Sequence, residues 1–239
     1  MSKLRKAVSK LYNLVGKWYL TSKLRSEWNA QPVGKINERP VEYAFAMKCL
    51  SRVCPQEVLD VGPGTSPWPQ LMAKCGFKVT AIDEIQGYWA GEFFNRHHYV
   101  IHDDITDPKL SHEFDFATCI SVIEHIPDHL AAMKGLFKLL KPGGHLVVSF
   151  PYNESCFVDN VYALEGAGYG KNAKYICRVY SRSEIDLWLK ECGGTIVEQE
   201  YYEAFTGDLW TFGQRLYPPR EASKDSKHHL TCLLIRKNG

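Results

Sequence analysis

The sequence predicts a doubly wound α/β fold, a mainly parallel sheet with helices on both faces. Three observations carry this. Short apolar segments of strand length alternate with helical segments through residues 57–150, and strands separated by helices pair in parallel. The first of these segments, Glu57–Val61, breaks into Gly62-Pro63-Gly64 and passes straight into a helix start. Polar residues then close successive strands, so that Asp60, Asp83, Asp104 and Ser121 fall along one carboxyl edge, where such sheets bind ligands.

The bulk composition agrees. At 239 residues the chain can form one α/β domain with additions, and its 45% apolar and 23% charged content is ordinary for a soluble protein. A net charge of +2 gives no general argument for nucleic acid. The eight cysteines show no CxxC and no metal-ligand spacing, so no metal site is expected and most should be free buried thiols in a reducing cytoplasm. No apolar run approaches the roughly 18 residues of a membrane span. The basic N-terminus lacks the apolar core and cleavage site of a signal peptide.

In order, residues 1–27 form a basic amphipathic stretch. Leu4, Val8, Leu11, Tyr12, Val15 and Tyr19 fall at helical spacing, and seven Lys or Arg stand against the single acid Glu27. Two readings stay open: a helix resting on an anionic membrane or a phosphate-bearing substrate, and a lid helix with a solvated basic face. Residues 1–39 are expected as an N-terminal helical cap, with Asn29–Arg39 as linker, and 40–239 as the main domain. Pro40 opens a helix over Val41–Ser51.

Strand Glu57–Val61 leads to a helix from Pro67 to about Lys74, which Gly76 ends. Strands follow at Phe77–Ile82, Tyr99–His102 and Phe114–Ile120. Asp128 is a plausible cap for the next helix, with Leu130, Met133, Leu136, Phe137 and Leu140 on its buried face. Lys141-Pro142-Gly143-Gly144 reads as a tight stop before strand His145–Phe150. A helix over Ser183–Cys192, capped by Ser181 or Ser183, a strand at Thr195–Glu200 and a last strand at His229–Arg236 complete the chain. Residues 151–180 and 201–227 lack clear periodicity and are expected to form a substrate cap.

A glycine turn between strand and helix lets a ligand approach the backbone and aims free N–H groups at it. Dinucleotide binding would use G-x-G-x-x-G; here Pro67 takes the third glycine's place, and Asp60 sets a negative charge beside the supposed pyrophosphate. No Gly-Lys-Ser/Thr follows, which excludes a P-loop.

The stretch Asp60-Val61-Gly62-Pro63-Gly64-Thr65-Ser66 resembles the first motif of the class I S-adenosylmethionine-dependent methyltransferases, departing from it at the third glycine, where Ser66 stands. Ser66 makes a good helix cap with Pro67 at the first helical position. Ala81-Ile82-Asp83, His102-Asp103-Asp104-Ile105, the run Ser121-Val122-Ile123-Glu124-His125, and Leu139-Leu140-Lys141-Pro142-Gly143-Gly144 are similar to further family landmarks, in order, over residues 57–150. The resemblance implies a Rossmann-like, seven-stranded, mostly parallel sheet with an antiparallel last strand, and S-adenosyl-L-methionine as cofactor. It implies that Asp60 lies near the methionine end and that Asp83 takes the ribose hydroxyls. Asp104 would accept the adenine amino group, with Asp103 as the alternative and Ile105 and Ser121 completing the site.

The expected reaction is methyl transfer to a hydroxyl of a small or glycan acceptor, such as a surface-polysaccharide sugar. A nitrogen or lipid-linked acceptor, and a non-catalytic cofactor-binding role, are the alternatives. A hydroxyl must lose its proton, and His125 is the first candidate base; His97, His98, Tyr152 and Glu154 are further candidates. Trp68, Tyr88, Trp89, Phe93 and Phe94 flank the cofactor edge, and Tyr201, Tyr202, Phe205, Trp210 and Phe212 populate the late insertion, where they could stack on an acceptor.

Overall fold

The computed structural model describes residues 3–29, 36–84, 95 and 97–239. The chain divides into two units, Met1–Ile36 and Asn37–Gly239. The first contains helix α1 (Lys3–Asn29). The second runs α2 (Arg39–Val53), β1 (Glu57–Val61), α3 (Trp68–Lys74), β2 (Lys78–Asp83), β3 (Val100–His102) and β4 (Phe114–Ile120). It continues through a 3-10 turn (Ile123–His125), α4 (His129–Lys138), β5 (Leu140–Pro151), α5 (Arg182–Cys192), β6 (Gly194–Phe205), β7 (Arg215–Ala222) and β8 (Leu230–Lys237).

The sheet order is β3-β2-β1-β4-β5-β8-β6-β7. β1 to β5 pair in parallel, and β8, the last strand, lies antiparallel between β5 and β6. This is the doubly wound sheet the sequence predicts, with one strand added at the edge. Residues 201–227 read as aperiodic, yet 201–205 extend β6 and Arg215–Ala222 pairs back on it as β7. Pro218 and Pro219 argue against a strand, since proline cannot donate to a ladder; the edge position of β7 tolerates them. The Lys141-Pro142-Gly143-Gly144 stop likewise lies inside a strand. Phe114 pairs with Leu140 and Phe116 with His145, so these residues bulge out of β5, with Gly143 at φ +77°.

Both faces of the sheet are covered, which is why its central strands are apolar almost throughout. Met133, Phe137, Ile185 and Trp188 of α4 and α5 pack with Leu146, Val148 and Ile235 on one face. Phe45 and Leu50 of α2, with Trp68 and Met72 of α3, pack with Val58, Val147 and Leu234 on the other. Asp128 caps α4, its Oδ1 accepting the Ala131 N–H at 2.9 Å, and Ser181 with Glu184 forms a capping box on α5. All eight cysteines are free, but Cys49, Cys119, Cys177 and Cys232 alone are buried; Cys54, Cys75 and Cys156 are exposed and Cys192 is half-buried.

α4 crosses the chain below β3 closely enough to require a glycine. A Cβ on Gly135 would lie 1.8 Å from the Ile105 carbonyl oxygen. Gly135→Ala is therefore expected to cost about 2–3 kcal/mol, as overpacking does, and to lower the melting temperature by several degrees; an unchanged thermal melt would contradict this packing.

Candidate functional site

The strand order reverses between β1 and β4, and the turns leaving these two strands build the site. Beyond β1, Gly62 and Gly64 adopt φ +71° and +56°, backbone that glycine enters without strain. A Cβ on Gly62 would also meet the Val122 methyls at 2.6 Å. The Gly62 N–H donates to the Ile82 carbonyl at 2.9 Å, and the Gly64 N–H donates to Asp83 Oδ2 at 2.9 Å. Asn95 closes the turn from outside, its Nδ2 donating to the carbonyls of Gly64 and Ser66 at 2.7 and 3.0 Å. α3 begins at Trp68, one residue later than the sequence suggests. Ser66 Oγ accepts the Trp68 N–H at 3.0 Å all the same.

Asp60 is buried at the end of β1. Thr118 Oγ1 donates to its Oδ1 at 2.6 Å, while its Oδ2 has no hydrogen-bond partner among the described residues. Burial lifts its pKa to about 7, against the pull of the Thr118 hydrogen bond. Asp83 is raised too, by burial, despite the Gly64 N–H.

α2 supplies a wall that the sequence analysis missed. Glu42 is buried; its Oε1 accepts Ser121 Oγ at 2.6 Å and Ser149 Oγ at 2.7 Å, and its Oε2 pairs with Arg39 at 2.7 Å. Arg39 also reaches the Ile120 carbonyl at 3.4 Å. Tyr43 stacks on Trp68 with centroids 4.7 Å apart and shares a 2.7 Å hydrogen bond with Ser66. Arg39, Tyr43, Asp60, Gly62, Ser66 and Trp68 line one cleft. Spacing alone puts positions 39, 42 and 43 on one helix face, without telling that face from any other polar one.

The remaining sequence candidates divide. Ser121 lies at the edge with φ +49°, but its hydroxyl is taken by Glu42. Both oxygens of Asp103 accept backbone N–H groups, from Asp104 and Lys109 on Oδ1 and from Leu110 on Oδ2, so this carboxylate ties its own loop. Asp104 is exposed, with Oδ1 accepting the N–H and hydroxyl of Thr106 at 2.8 Å. Ile105 is buried in the core against α4. His97 and His98 donate their backbone N–H groups to Asn95 Oδ1. The Tyr152 hydroxyl donates to Glu154 at 2.7 Å, and Arg182 braces the same carboxylate. Tyr88, Trp89, Phe93 and Phe94 lie outside the described residues. Among the described residues no group of three or more His, Cys, Asp or Glu could hold a metal ion.

His125 stands in the 3-10 turn after β4 with Nδ1 2.7 Å from the Ile176 carbonyl oxygen. A carbonyl only accepts, so Nδ1 carries the proton and Nε2 of the neutral ring keeps its lone pair. Burial lowers the His125 pKa. Its neighbour Glu124 is buried with Oε2 unpartnered among the described residues, and burial raises its pKa to about 8.

A run of rings starts at His125. Tyr175 meets it edge-on at 4.9 Å, Tyr162 lies 5.8 Å from Tyr175, and Tyr169 lies 5.8 Å from Tyr162. Phe205 follows at 6.1 Å. The Arg215 guanidinium sits over Tyr169, Phe205 and Trp210 and pairs with Glu38. The two insertions meet here, Ala167 bridging to Phe212 and the Gly168 N–H donating to the Thr211 carbonyl at 2.9 Å.

A family model described as a methyltransferase domain matches residues 30–199. The ubiquinone biosynthesis O-methyltransferase of Alkalilimnicola ehrlichii is 29% identical over 183 residues, covering 69% of this chain and 71% of that protein. The 1,6-didemethyltoxoflavin-N1-methyltransferase of Burkholderia thailandensis, solved with S-adenosylhomocysteine, superposes with a TM-score of 0.56 at 18% identity, over 100% of this chain and 92% of that one. The [4+2]-cyclase SpnF superposes at 0.57 with 15% identity, over 87% and 85%. These two likenesses speak for the fold alone. The family match covers the whole acid-and-glycine edge, and with it the chain belongs to the class I S-adenosylmethionine-dependent methyltransferases.

Proposed function

We propose that the β1–β4 edge holds the cofactor and that the methyl group passes to a hydroxyl on a flat aromatic acceptor, with His125 receiving the proton. The observation that carries this is the run of rings that begins at His125. Flat rings recognise flat rings and exclude water, and the residues 151–180 and 201–227 that supply them would form the acceptor cap. The curated relative at 29% identity is named as an O-methyltransferase, which supports oxygen as the nucleophile. The O-methyltransferase named above is one of ubiquinone biosynthesis, not of a surface-polysaccharide sugar, so the glycan reading is set aside.

The residues present fit S-adenosylmethionine. Asp60 offers an unpartnered buried oxygen, and a Cβ-free Gly62 leaves the backbone open to close approach. Asp83, held by the Gly64 N–H, would take the ribose hydroxyls through its second oxygen, and exposed Asp104 suits the adenine amino group better than its alternative Asp103, whose two oxygens hold backbone N–H groups. When bound, the cofactor supplies an electrophilic methyl on a cationic sulfur. The chain's own part is alignment, since transfer in line disperses charge rather than creating it. His125 Nε2 then takes the hydroxyl proton, and Nδ1–H on Ile176 keeps the ring in that tautomer.

Calorimetric titration should show S-adenosylhomocysteine binding, weakened about a hundredfold or more in Asp83→Ala, as expected for losing two charge-assisted hydrogen bonds. Unchanged affinity would remove Asp83 from the site. In His125→Ala, kcat on a catechol-type acceptor should fall by about 10²–10⁴ while S-adenosylhomocysteine affinity stays as it was; a purely structural His125 would move both. Because burial lowers the His125 pKa, the acid limb of kcat should lie below pH ~6.5.

Asp60 adds a pH dependence. Its pKa near 7 means it is largely protonated below that pH, and a nearby sulfonium favours the ionised form, so binding releases a proton at low pH. The affinity for S-adenosylmethionine relative to uncharged-sulfur S-adenosylhomocysteine should therefore rise from pH 6 to about 7 and level off above. Asp60→Asn should flatten that ratio.

A further inference from the structure

We infer that α1 is an interfacial helix through which this protein adsorbs to anionic lipid surfaces. At about 100° per residue, Ala7, Val8, Leu11, Tyr12, Leu14, Val15, Trp18 and Tyr19 fall within an arc of roughly 160°. Lys6, Ser9, Lys10, Asn13, Gly16 and Lys17 occupy the opposite arc. The apolar side chains are exposed, Tyr12 by 77%, Trp18 by 75% and Leu11 by 64%. Segregation fails after Tyr19, where Leu20 and Leu24 fall among polar positions. The active segment is thus residues 5–19, about 22 Å long at 1.5 Å per residue.

The charge pattern selects the occupant. Residues 1–27 hold seven basic residues and one acid, whereas the rest of the chain holds 22 basic residues and 26 acids. An anionic surface therefore attracts α1 and repels the remainder, which orients the protein as well as binding it. Nucleic acid would satisfy Lys6, Lys10 and Lys17 but leave the apolar arc wet. A second copy of α1 would cover that arc but bring like charges together. An anionic lipid interface offers acyl surface to the apolar arc and phosphate to the lysines, while Trp18, Tyr12 and Tyr19 suit the headgroup boundary. Among the described residues no helix is long and apolar enough to cross a membrane, so α1 lies on the surface. The inference uses nothing from the methyl-transfer site and stands or falls apart from it.

The full chain should cosediment with phosphatidylcholine vesicles containing phosphatidylglycerol, and at least tenfold less with phosphatidylcholine alone. Raising salt from about 0.1 to about 0.5 M should release it. Lys6→Glu/Lys10→Glu/Lys17→Glu and, separately, Leu11→Ala/Trp18→Ala should each weaken partitioning about tenfold or more, with S-adenosylhomocysteine binding as the check that the main unit stays folded. The inference is overturned by equal partitioning to neutral vesicles, by indifference to both variants, by tighter binding to duplex DNA than to anionic vesicles, or by a lipid-free dimer that Leu11→Ala/Trp18→Ala converts to monomer.

Discussion

The buried Glu42 carboxylate is the constraint on which the site depends. A buried charge without partners costs several kcal/mol, and Glu42 meets that cost with two hydroxyls and a guanidinium. Those partners come from the turn after β4, from β5 and from the first residue of α2. Satisfying Glu42 therefore pins the amino end of α2 across the carboxyl ends of two strands. Everything on that helix face is placed as a consequence: Arg39 at the Ile120 carbonyl, Tyr43 on Trp68 and Ser66. The glycine turn supplies the floor of the cleft, but a carboxylate 20 residues before Gly62 decides where its wall stands.

Three buried acids near the edge can be told apart by what remains unpaired. Both Glu42 oxygens are occupied, which makes it a structural ion. Asp60 and Glu124 each keep one buried oxygen without a partner among the described residues, and burial raises both pKa values, to about 7 and about 8. Unmet polar capacity in a folded core is unfavourable unless something else meets it. At Asp60 the proposed cationic ligand would do so while restoring the ionised form. Glu124 sits beside His125, its Oε1 3.8 Å from Nε2 and too far for a hydrogen bond. There it adds a local charge only at alkaline pH and leaves the His125 lone pair unengaged.

What the sequence revealed follows from the range of each interaction. Asp60, Gly62, Gly64 and Asp83 were legible because strand ends and positive-φ turns are local, and the parallel register brings Val61 beside Ile82. Ser121 and Asp103 were legible in place, but not the packing that spends the Ser121 hydroxyl on Glu42 and the Asp103 oxygens on the N–H groups of Asp104, Lys109 and Leu110. Arg39, Glu42 and Tyr43 were missed since only tertiary packing distinguishes that face of α2 from any polar helix face. β7 was missed because two prolines mimic a loop unless the strand is known to lie at an edge. The ring run draws on Tyr162, Tyr169 and Tyr175, which the sequence showed only as part of the aperiodic stretch 151–180, whereas its late partners Phe205 and Trp210 were among the aromatics singled out.

The fold itself does not choose the reaction, since a [4+2]-cyclase shares it with a TM-score of 0.57. The choice rests with side chains above the sheet. A base competent at neutral pH must be both deprotonated and correctly oriented, and the two demands usually compete, because a strong hydrogen-bond acceptor near an imidazole also favours its charged form. At His125 they are separated. The Ile176 carbonyl is a neutral acceptor that fixes the tautomer, and burial outweighs its upward pull, so the ring stays neutral. A carboxylate in place of that carbonyl would orient the ring equally well but hold it protonated through neutral pH. The neutrality of the partner, more than the presence of a histidine, is what would let this position take the hydroxyl proton in the proposed reaction.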